Sequence, residues 1–438
     1  MKRAKKLIPD KISTTTTTTT TNNNNYNLNP NYDENIGNEF SILFVGDTTF
    51  GENYVNAYAL RANFGFNVLE RYGHDHFFQK LKPILHDSDL VIANLETPLI
   101  DVKNTIQPSF SFSSLNHYTN KQGIFQHWSD KTKTVEYLKK YNILNVSLAN
   151  NHAMDYGIDG LNQTMDVLKD AGIRFFGAGA NRRHASKPYT KNIFIGNKMV
   201  KLAVISAFGY RKGYDEDFSF YADDRKEGVN RLSVNRIQRK IKRLREDHGN
   251  NIFVAVLPHW GGVRSYGWKT EKQTEVGHQL VDAGADIVIG SGAHNFQEIE
   301  EYKGRLIIYG IGNFMYNAIN QYGRFNMAPF SLAVKLVFQI SSKENQQLKK
   351  DGGIDDTSLA EVKKTIKVYP INTDNDATNW QARILDEQEF KVAYDLLIDK
   401  NSFLISSKRY AKAGIDKIGR YIELQLDLSN VNNKKDNT

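Results

Sequence analysis

Polar side chains that suit metal binding or acid–base chemistry follow six apolar segments of this sequence. Asp47 follows Ile42–Val45, His259 follows Phe253–Leu257, and other polar residues follow four further segments. Those others are Asn94 and Glu96, Asn150, Asn151 and His152, His294, and Asn313. A divalent cation is held by such a mixture of carboxylate, amide and imidazole groups. Bound there, it activates water and stabilises charge on a phosphoryl or acyl oxygen.

The apolar segments have the length of strands, and helical patterns lie between several of them. The strand-like segments are Ser41–Val45, Leu90–Ala93, Ile143–Leu148, Leu202–Ala207, Ile252–Leu257, Asp286–Ile289 and Leu306–Tyr309. The helical patterns are Val135–Tyr141, Gly160–Ala171, Asn230–Glu246 and Thr270–Ala283. This alternation predicts an α/β fold with a sheet covered on both faces. Because strand ends converge on one crevice in such folds, we expect the polar residues to form one site.

Each of these residues also has a simpler interpretation when it is taken alone. An aspartate such as Asp47 after a strand is often a helix cap or turn residue. A buried histidine such as His259 or His294 often only bonds a backbone carbonyl, and Asn-Asn is common in turns. Recurrence of the pattern after six segments favours a shared site over six separate coincidences.

Composition limits the chemistry and the partners. The 438 residues include no cysteine, which excludes disulfides, zinc–thiolate sites and cysteine nucleophiles. A metal would be Mn, Fe, Mg or Zn in nitrogen and oxygen coordination. The formal net charge of +8 favours polyanions, although a solvated basic surface is the simpler interpretation. The sequence has no zinc-finger spacing or aromatic–basic motif, so we expect no nucleic-acid partner.

The ends of the chain differ from its middle. Residues 1–38 include Thr14–Thr21 and Asn22–Asn25, a low-complexity arm that we predict to be disordered, like the tail 427–438. Residues 39–372 form the main predicted domain, and 373–426 are predicted to be a C-terminal helical extension. The basic N-terminus lacks the apolar segment of a signal peptide, and no stretch approaches a membrane span. We therefore expect a protein that is cytoplasmic or peripheral at the membrane.

The order of the motifs over residues 40–340 resembles the CapA family of poly-γ-glutamate capsule biosynthesis proteins. The motifs are Val45-Gly46-Asp47-Thr48-Thr49, Ala93-Asn94-Leu95-Glu96-Thr97-Pro98, Ala149-Asn150-Asn151-His152, Phe176-Gly177-Ala178-Gly179, His259-Trp260-Gly261 and Gly310-Ile311-Gly312-Asn313-Phe314. The family is similar to calcineurin-like metallophosphoesterases. The resemblance implies a four-layer α/β/β/α sandwich with a two-metal site.

The resemblance also implies roles for particular residues. It makes five of them metal ligands: Asp47, Glu96, Asn151, His259 and His294. Asn151 and His259 would serve one metal, and His294 the other. A catalytic set would comprise His152, Asn150 and Asn313, with His152 as the acid that faces a leaving group and Asn313 as a buttress of the site.

Two positions depart from the metallophosphoesterase pattern. Thr49 and Gly292 stand where histidines are usual, so each predicted metal loses an imidazole. We expect either a single or weakly bound metal or a site in which metal binding has decayed. Arg264 and Lys269 lie in the loop that follows His259 and are candidates to hold a carboxylate or phosphate. The alternative is that this segment is a plain surface loop. We expect no ligand role for the other eight histidines, His127 among them.

Two functions from different classes follow from these features. One is a metal-dependent hydrolase or transferase that acts on an acidic polymer or phosphoester, together with membrane-bound capsule-synthesis partners. The other is a non-catalytic polyanion-binding module with a decayed metal site. A general phosphodiesterase unrelated to capsule is a third interpretation, because a fold does not fix a function. The sequence does not predict the oligomeric state.

Overall fold

A computed structural model describes most of the chain after its N-terminal arm. The described residues are 37–52, 68–101, 126–196, 198–249, 251–261, 265–318, 321–341, 359–401 and 411–425. Nearly all of the predicted arm 1–38, the predicted tail 427–438 and Arg264 lie outside these residues. The elements below all belong to the unit Gly37–Thr438.

The described residues form two main sheets and two short two-stranded ones. The strands, in chain order, are β1 Glu39–Thr49, β2 Leu90–Leu95, β3 Leu99–Ile100, β4 Ser129–Asp130, β5 Asn145–Ser147, β6 Arg174–Phe176, β7 Ala178–Gly179, β8 Tyr189–Ile195, β9 Lys198–Phe208, β10 Gly228–Val229, β11 Ile252–His259, β12 Ile287–Ile289, β13 Ile299–Tyr302, β14 Arg305–Ile308, β15 Asn313–Tyr316, β16 Phe330–Gln339, β17 Lys363–Asn372, β18 Arg383–Ile384, β19 Ala411–Ile415 and β20 Arg420–Gln425.

The strand order separates a large sheet from a small one. The large sheet runs β19-β20-β17-β16-β1-β2-β5-β6, with β15 beside β1 and β18 beside β17. The small sheet runs β13-β14-β12-β11-β9-β8. Strands β1, β2, β5 and β6 are mutually parallel, and so are β9, β11, β12 and β14. The remaining neighbours in the two sheets are antiparallel, apart from β15, which is parallel to β1.

Helices lie between several of these strands. They are α1 Val68–Tyr72, α2 Lys82–His86, α3 Lys131–Lys140, α4 Gly157–Asp170, α5 Arg182–Ala185, α6 Lys212–Phe218, α7 Val234–His248, α8 Glu271–Asp282, α9 Gln321–Phe325, α10 Asn375–Thr378 and α11 Glu387–Lys400. Short 3-10 segments cover His74–Phe78 and Leu359–Glu361. Within the described residues, no helix combines the length and apolar character needed to cross a membrane.

Side chains of β1 point alternately to the two faces of the large sheet, which explains why the small sheet stacks on one of them. Ile42 and Phe44 of β1 share one buried cluster with inner-face residues of the small sheet, such as Phe253. Leu43 and Val45, on the other face of β1, belong to a second cluster. Successive side chains of a strand point to opposite faces, so a run apolar at every position must be covered twice. Burial of each such side chain stabilises the fold by about 1.5–3 kcal/mol.

Helices supply the outer cover of both sheets. Leu138 of α3 and Leu161 of α4 pack in the same cluster as the outer face of the large sheet. Ile237 of α7 and Leu280 of α8 pack with the outer face of the small sheet. The layers are therefore helices, large sheet, small sheet and helices, which confirms the predicted metallophosphoesterase-like α/β/β/α sandwich.

The region from residue 373 to 426 contains more strand than the sequence suggested. Helix α11 is present and carries a capping box at Asp386 and Glu389. Strands β19 and β20 then extend the large sheet, because β20 pairs with β17 from Thr365 to Val368. This region is therefore not purely helical, and the predicted domain boundaries remain predictions.

Candidate metal centre

The centre begins where β1 ends at the carboxyl edge of the large sheet. Asp47 pairs with Asn94 on β2 and with Asn313 on β15, so three polar residues lie side by side. The register of the pairing with β15 shifts just after Asp47, and that of the pairing with β2 shifts just before it, between Val45 and Asp47. The turn needs glycine at Gly46, because a Cβ there would lie 1.8 Å from the carbonyl oxygen of Gly312. The Asp47 amide donates to that same carbonyl at 3.1 Å.

Two buried carboxylates and an imidazole form the core of the centre. Asp47, Glu96 and His259 each offer one ligand atom, and these atoms lie within 4.8 Å of one another. Asp47 and Glu96 are fully buried and His259 is 2% exposed. His259 links the pair, with Nδ1 3.9 Å from Asp47 Oδ1 and Nε2 3.9 Å from Glu96 Oε1.

Amide side chains fix the carboxylates and the following turn. Asn94 Nδ2 donates to Asp47 Oδ1 at 2.8 Å, and Asn150 Nδ2 donates to Asn94 Oδ1 at 3.1 Å. Asn150 also donates to the Leu95 carbonyl and accepts from the His152 amide at 3.0 Å. Asn150 is fully buried, and its contacts are all within this network of amides and backbone. The structure thus places Asn150 as a connector between β2 and the turn that carries His152.

His259 is held from both ring nitrogens. Its Nε2 lies 2.6 Å from Asn151 Oδ1, and its Nδ1 lies 3.0 Å from Ser291 Oγ. An amide oxygen only accepts, so Nε2 carries the proton in this arrangement and Nδ1 is the acceptor. Gly292 presses on the same ring, since a Cβ at this position would lie 2.7 Å from Nε2. Neither Ser291 nor the steric role of Gly292 was predicted from the sequence.

His294 contacts the other oxygen of Asp47. Its Nδ1 lies 2.9 Å from Asn313 Oδ1 and 3.2 Å from Asp47 Oδ2. Both neighbours are acceptors, so Nδ1 is protonated and donates to Asn313, while Oδ2 accepts no hydrogen bond of good geometry. His294 adopts a left-handed backbone conformation with φ of 54°. In this arrangement it acts towards Asp47 as a cationic or donor neighbour.

The electrostatic environment keeps Asp47 ionised. Burial by itself would raise the pKa of Asp47. The hydrogen-bonding contact with His294 and the electrostatic interactions with His259 and His294 outweigh burial, and the pKa of Asp47 lies below its ordinary value. A buried, ionised carboxylate oxygen without a hydrogen bond is the kind of group that a cation stabilises. The donor set of oxygen and nitrogen atoms therefore fits a divalent metal.

His152 also lies beside Glu96. Its Nδ1 is 2.5 Å from Asp155 Oδ2, and its Nε2 is 3.7 Å from Glu96 Oε1. His127 stacks on the His152 ring with centroids 3.4 Å apart, and its amide donates to Asp155 at 2.7 Å. His127 Nδ1 also bonds the Glu96 carbonyl at 2.9 Å. His127 thus supports the centre without a ligand role.

Sequence reasoning missed Asp155 and His127. Asp155 had a detectable signal, because it follows His152 by three residues in the same turn. His127 had none, because it lies outside the motifs and reaches the centre only through tertiary packing. All eight residues of the predicted site are nevertheless brought together, and their individual roles remain predictions.

The structure shows the contacts of two other residues that the sequence singled out, Thr49 and Lys269. Thr49 Oγ1 accepts from the Gly51 amide at 3.0 Å and lies 3.5 Å from Ser129 Oγ, so it supports the turn. Lys269 Nζ donates to Thr274 at 2.8 Å and lies over the Tyr309 ring. Lys269 Nζ also lies 3.5 Å from Glu300 Oε2, so contacts within the protein already engage the ammonium.

Comparison with known proteins gives a consistent set of relatives. The family model described as bacterial capsule synthesis protein PGA_cap matches residues 41–318, which include every residue of the centre. Capsule biosynthesis protein CapA of Bacillus anthracis is 30% identical over 256 residues, which are 57% of this chain and 56% of that protein. PGA biosynthesis protein CapA of Bacillus subtilis (strain 168) is 29% identical over 308 residues, 67% of this chain and 71% of that protein.

A third relative matches a smaller part of the chain. A probable polyglutamine synthesis accessory protein of Mycobacterium tuberculosis is 31% identical over 173 residues, 38% of this chain and 43% of that protein. The matched region thus spans just over half the length of the Bacillus anthracis relative and less than half of the mycobacterial one.

Proposed function

We propose, because this chain belongs to the bacterial capsule synthesis protein PGA_cap family, that it is a metal-dependent hydrolase or transferase of poly-γ-glutamate synthesis. Its substrate would be the acidic polymer or a phosphoester, and membrane-bound capsule-synthesis proteins would be its partners. The named Bacillus relatives support the pathway. The observation that carries the enzymatic part is the buried cluster of Asp47, Glu96 and His259.

Asp47, Glu96 and His259 would hold one divalent ion, with the Asn151 amide oxygen next to His259. A bound cation there supplies Lewis-acid chemistry, polarising a phosphoryl or acyl oxygen and offsetting its negative charge. His259 would hold such an ion only as a neutral imidazole with one unprotonated nitrogen, so protonation of the ring would compete with the metal. Affinity should therefore rise with pH, as it does for imidazole ligands in general.

His152 would move a proton at its Nε2 atom. Its Nδ1 donates to Asp155 Oδ2 at 2.5 Å, which fixes the tautomer and the ring orientation. The other ring nitrogen, Nε2, lies 3.7 Å from Glu96 Oε1, on the Glu96 side of the centre. When both ring nitrogens carry a proton, Nε2 can protonate a leaving group, while His127 limits ring rotation by stacking.

The second candidate is a non-catalytic polyanion-binding module. The surroundings of Gly292 favour this second candidate. A side chain at position 292 would collide with His259, so a histidine there could not supply the missing metal ligand without moving His259. The net charge of +8 is compatible with either candidate. The two differ in metal content and turnover, which can be measured on the same preparation.

The test uses purified full-length chain loaded with Mn²⁺, Fe²⁺, Mg²⁺ or Zn²⁺. Elemental analysis gives metal per chain, and turnover is followed with poly-γ-glutamate and a nitrophenyl phosphodiester. Asp47→Asn should lose metal and turnover together, whereas Asp159→Asn, the same change at an exposed position of α4, should lose neither. Polymer binding without metal or turnover in any of the four cations would reject the enzyme and favour the binding module.

A further inference from the structure

Helix α7 carries a row of cations beside its buried face. Ile237 and Ile241, 4% and 1% exposed, pack the helix on the small sheet. Four cations recur at intervals of three and four residues and so share one side of the helix: Arg236, Arg239, Lys240 and Arg243. Arg239 and Arg243 are exposed, and Arg236 and Lys240 are half-buried. A helix of this composition presents a continuous positive stripe to solvent.

Two further cations extend this row. Arg231 precedes α7 by three residues and lies 3.7 Å from the centre of the Tyr210 ring. Arg183 belongs to α5, which packs against β10 just before Arg231. We call Arg183, Arg231 and the four cations of α7 the basic face.

The cations of the basic face repel one another. Burial lowers the pKa of Arg236, and the charges of Arg182, Arg231 and Arg239 lower it further. Burial likewise lowers the pKa of Lys240, and Arg243 and Arg183 add to the effect. These couplings place α5, Arg231 and α7 within electrostatic reach of one another. Like charges at this density are unfavourable without an anion.

Acidic neighbours do not neutralise the basic face. Asp224 pairs with Arg182 at 3.1 Å and only partly offsets the charges around Arg236. Glu246 lies 3.8 Å from Lys242, and it follows Arg243 by one turn together with Asp247, so the basic face ends at that turn of α7. In the part of the chain that the structure describes, no carboxylate lies within ion-pair distance of the six cations.

Arg245 of the same helix differs from the cations of the basic face, because it has several hydrogen-bond partners within the protein. Arg245 donates to Asp286 at 2.9 Å and to the carbonyls of Ile252 and Gly284 at 3.0 Å each. Those contacts tie α7 to the small sheet. The guanidinium groups of Arg239 and Arg243 have no such partner among the described residues, so packing does not account for them.

The basic face starts at the sheet edge that carries the metal centre. Phe208 ends β9 and pairs in register with His259 at the end of β11. The two rings are 5.8 Å apart, and Tyr210 follows Phe208 by two residues. Because Arg231 covers Tyr210, this end of the basic face adjoins the centre. Helix α7 runs away from that edge, because the next strand, β11, runs back towards it and ends there at His259.

We infer that the basic face binds an extended polycarboxylate, poly-γ-glutamate, and leads one end of that polymer to the metal centre. This inference rests on the proposed function for the choice of polymer. Arginine forks match carboxylate groups in two parallel hydrogen bonds. Single-stranded nucleic acid is the less favoured ligand, because it needs aromatic rings on which bases stack and Arg231 already covers Tyr210.

The test compares two triple variants of the full-length chain. In the first, Arg239, Lys240 and Arg243 are each replaced by glutamine (Arg239→Gln, Lys240→Gln, Arg243→Gln). The matched control replaces three lysines on helices other than α7, each of which pairs with an acid of its own helix (Lys133→Gln, Lys212→Gln, Lys272→Gln). Each variant lowers the net charge by three, so only the location of the lost charge differs.

Binding is measured by fluorescence anisotropy with labelled poly-γ-glutamate over a series of salt concentrations. The first variant should bind about tenfold more weakly with a shallower salt dependence, and the control should stay within about twofold of wild type. Circular dichroism checks that both fold. The same series with a single-stranded oligonucleotide and with phosphatidylserine vesicles identifies the preferred anion.

The outcomes separate this inference from the proposed function. Equal loss in both triple variants, or no loss in the first, would overturn the basic face as the polymer site even if the enzyme turns polymer over. Tighter binding of the oligonucleotide or the vesicles through the same residues would overturn the polymer as its occupant. A third outcome is polymer binding that depends on the basic face and persists in Asp47→Asn, while wild type shows no metal-dependent turnover. That outcome would support the basic face as the polymer site and reject the enzyme.

Discussion

Replacement of Gly292 by alanine should damage the metal centre through the ring of His259. The backbone of Gly292 has φ of +90°, and an added Cβ would lie 2.7 Å from Nε2 and 2.9 Å from Cε1 of His259. The ring has little room to move, because it is 2% exposed and held by Asn151 and Ser291. Alanine at position 292 therefore forces the ring out of its present position.

The expected magnitude has a backbone part and a contact part. A non-glycine residue at positive φ costs about 1–2 kcal/mol. Loss of the two hydrogen bonds of His259 adds about 0.5–1.5 kcal/mol each. The free energy of unfolding should therefore fall by about 2–5 kcal/mol in Gly292→Ala. Affinity for the divalent ion should fall by about 10- to 100-fold, as it does when groups that orient a ligand are lost.

The matched control is Gly172→Ala. Gly172 has φ of +74°, and a Cβ there would meet nothing within 4 Å. This variant should lose only the backbone part, about 1–2 kcal/mol, and keep its metal affinity. Urea unfolding gives the stabilities, and calorimetric titration with Mn²⁺ gives the affinities. If Gly292→Ala bound Mn²⁺ as tightly as Gly172→Ala does, the steric role of position 292 would be refuted.

Three further predictions concern other parts of the molecule. Asp155→Asn should lower polymer turnover about 100-fold with unchanged metal content, because His152 loses its ionised acceptor; equal turnover would contradict this. Burial favours a raised pKa at Asp87, but Lys335 and Lys417 outweigh it and hold the pKa below its ordinary value. Asp87→Asn should therefore destabilise the protein above about pH 4 by about 1–2 kcal/mol, a difference that disappears in urea titrations as pH falls through the folded pKa. Saturating Mn²⁺ at 100 times its dissociation constant should stabilise wild type by about 2.7 kcal/mol and Asp47→Asn by none, as judged by thermal unfolding with and without a chelator.

Some strands of both sheets were predictable and others were not. Ser41–Val45 is apolar after its first residue, Leu90–Ala93 and Ile252–Leu257 are apolar throughout, and each lies within a longer strand of the structure. Buried parallel strands have this composition because both faces are covered. Strands β8 and β13 escaped notice because they lie at the two edges of the small sheet and include polar residues, exposed in β8 and half-buried in β13.

The same difference separates the predictable and unpredictable parts of the centre. Asp47, Glu96 and His259 were accessible because each directly follows a recognisable strand, and parallel strands end at a common edge. His127 and Ser291 contact the centre through residues distant in sequence, and no local pattern marks them. Lys269 had the right charge for a ligand site, but its neighbours in space use that charge elsewhere.

By itself, the sequence determined which residues have metal-binding chemistry and that strands would deliver them to one edge. It did so because strand periodicity and residue type are local properties of the chain. Only the tertiary structure decided that two sheets bring Asp47 and Glu96 against His259, with Gly292 against the imidazole ring. The contacts of His259 with Asp47 and Glu96 join segments more than 100 residues apart, and their distances depend on how the two sheets pack.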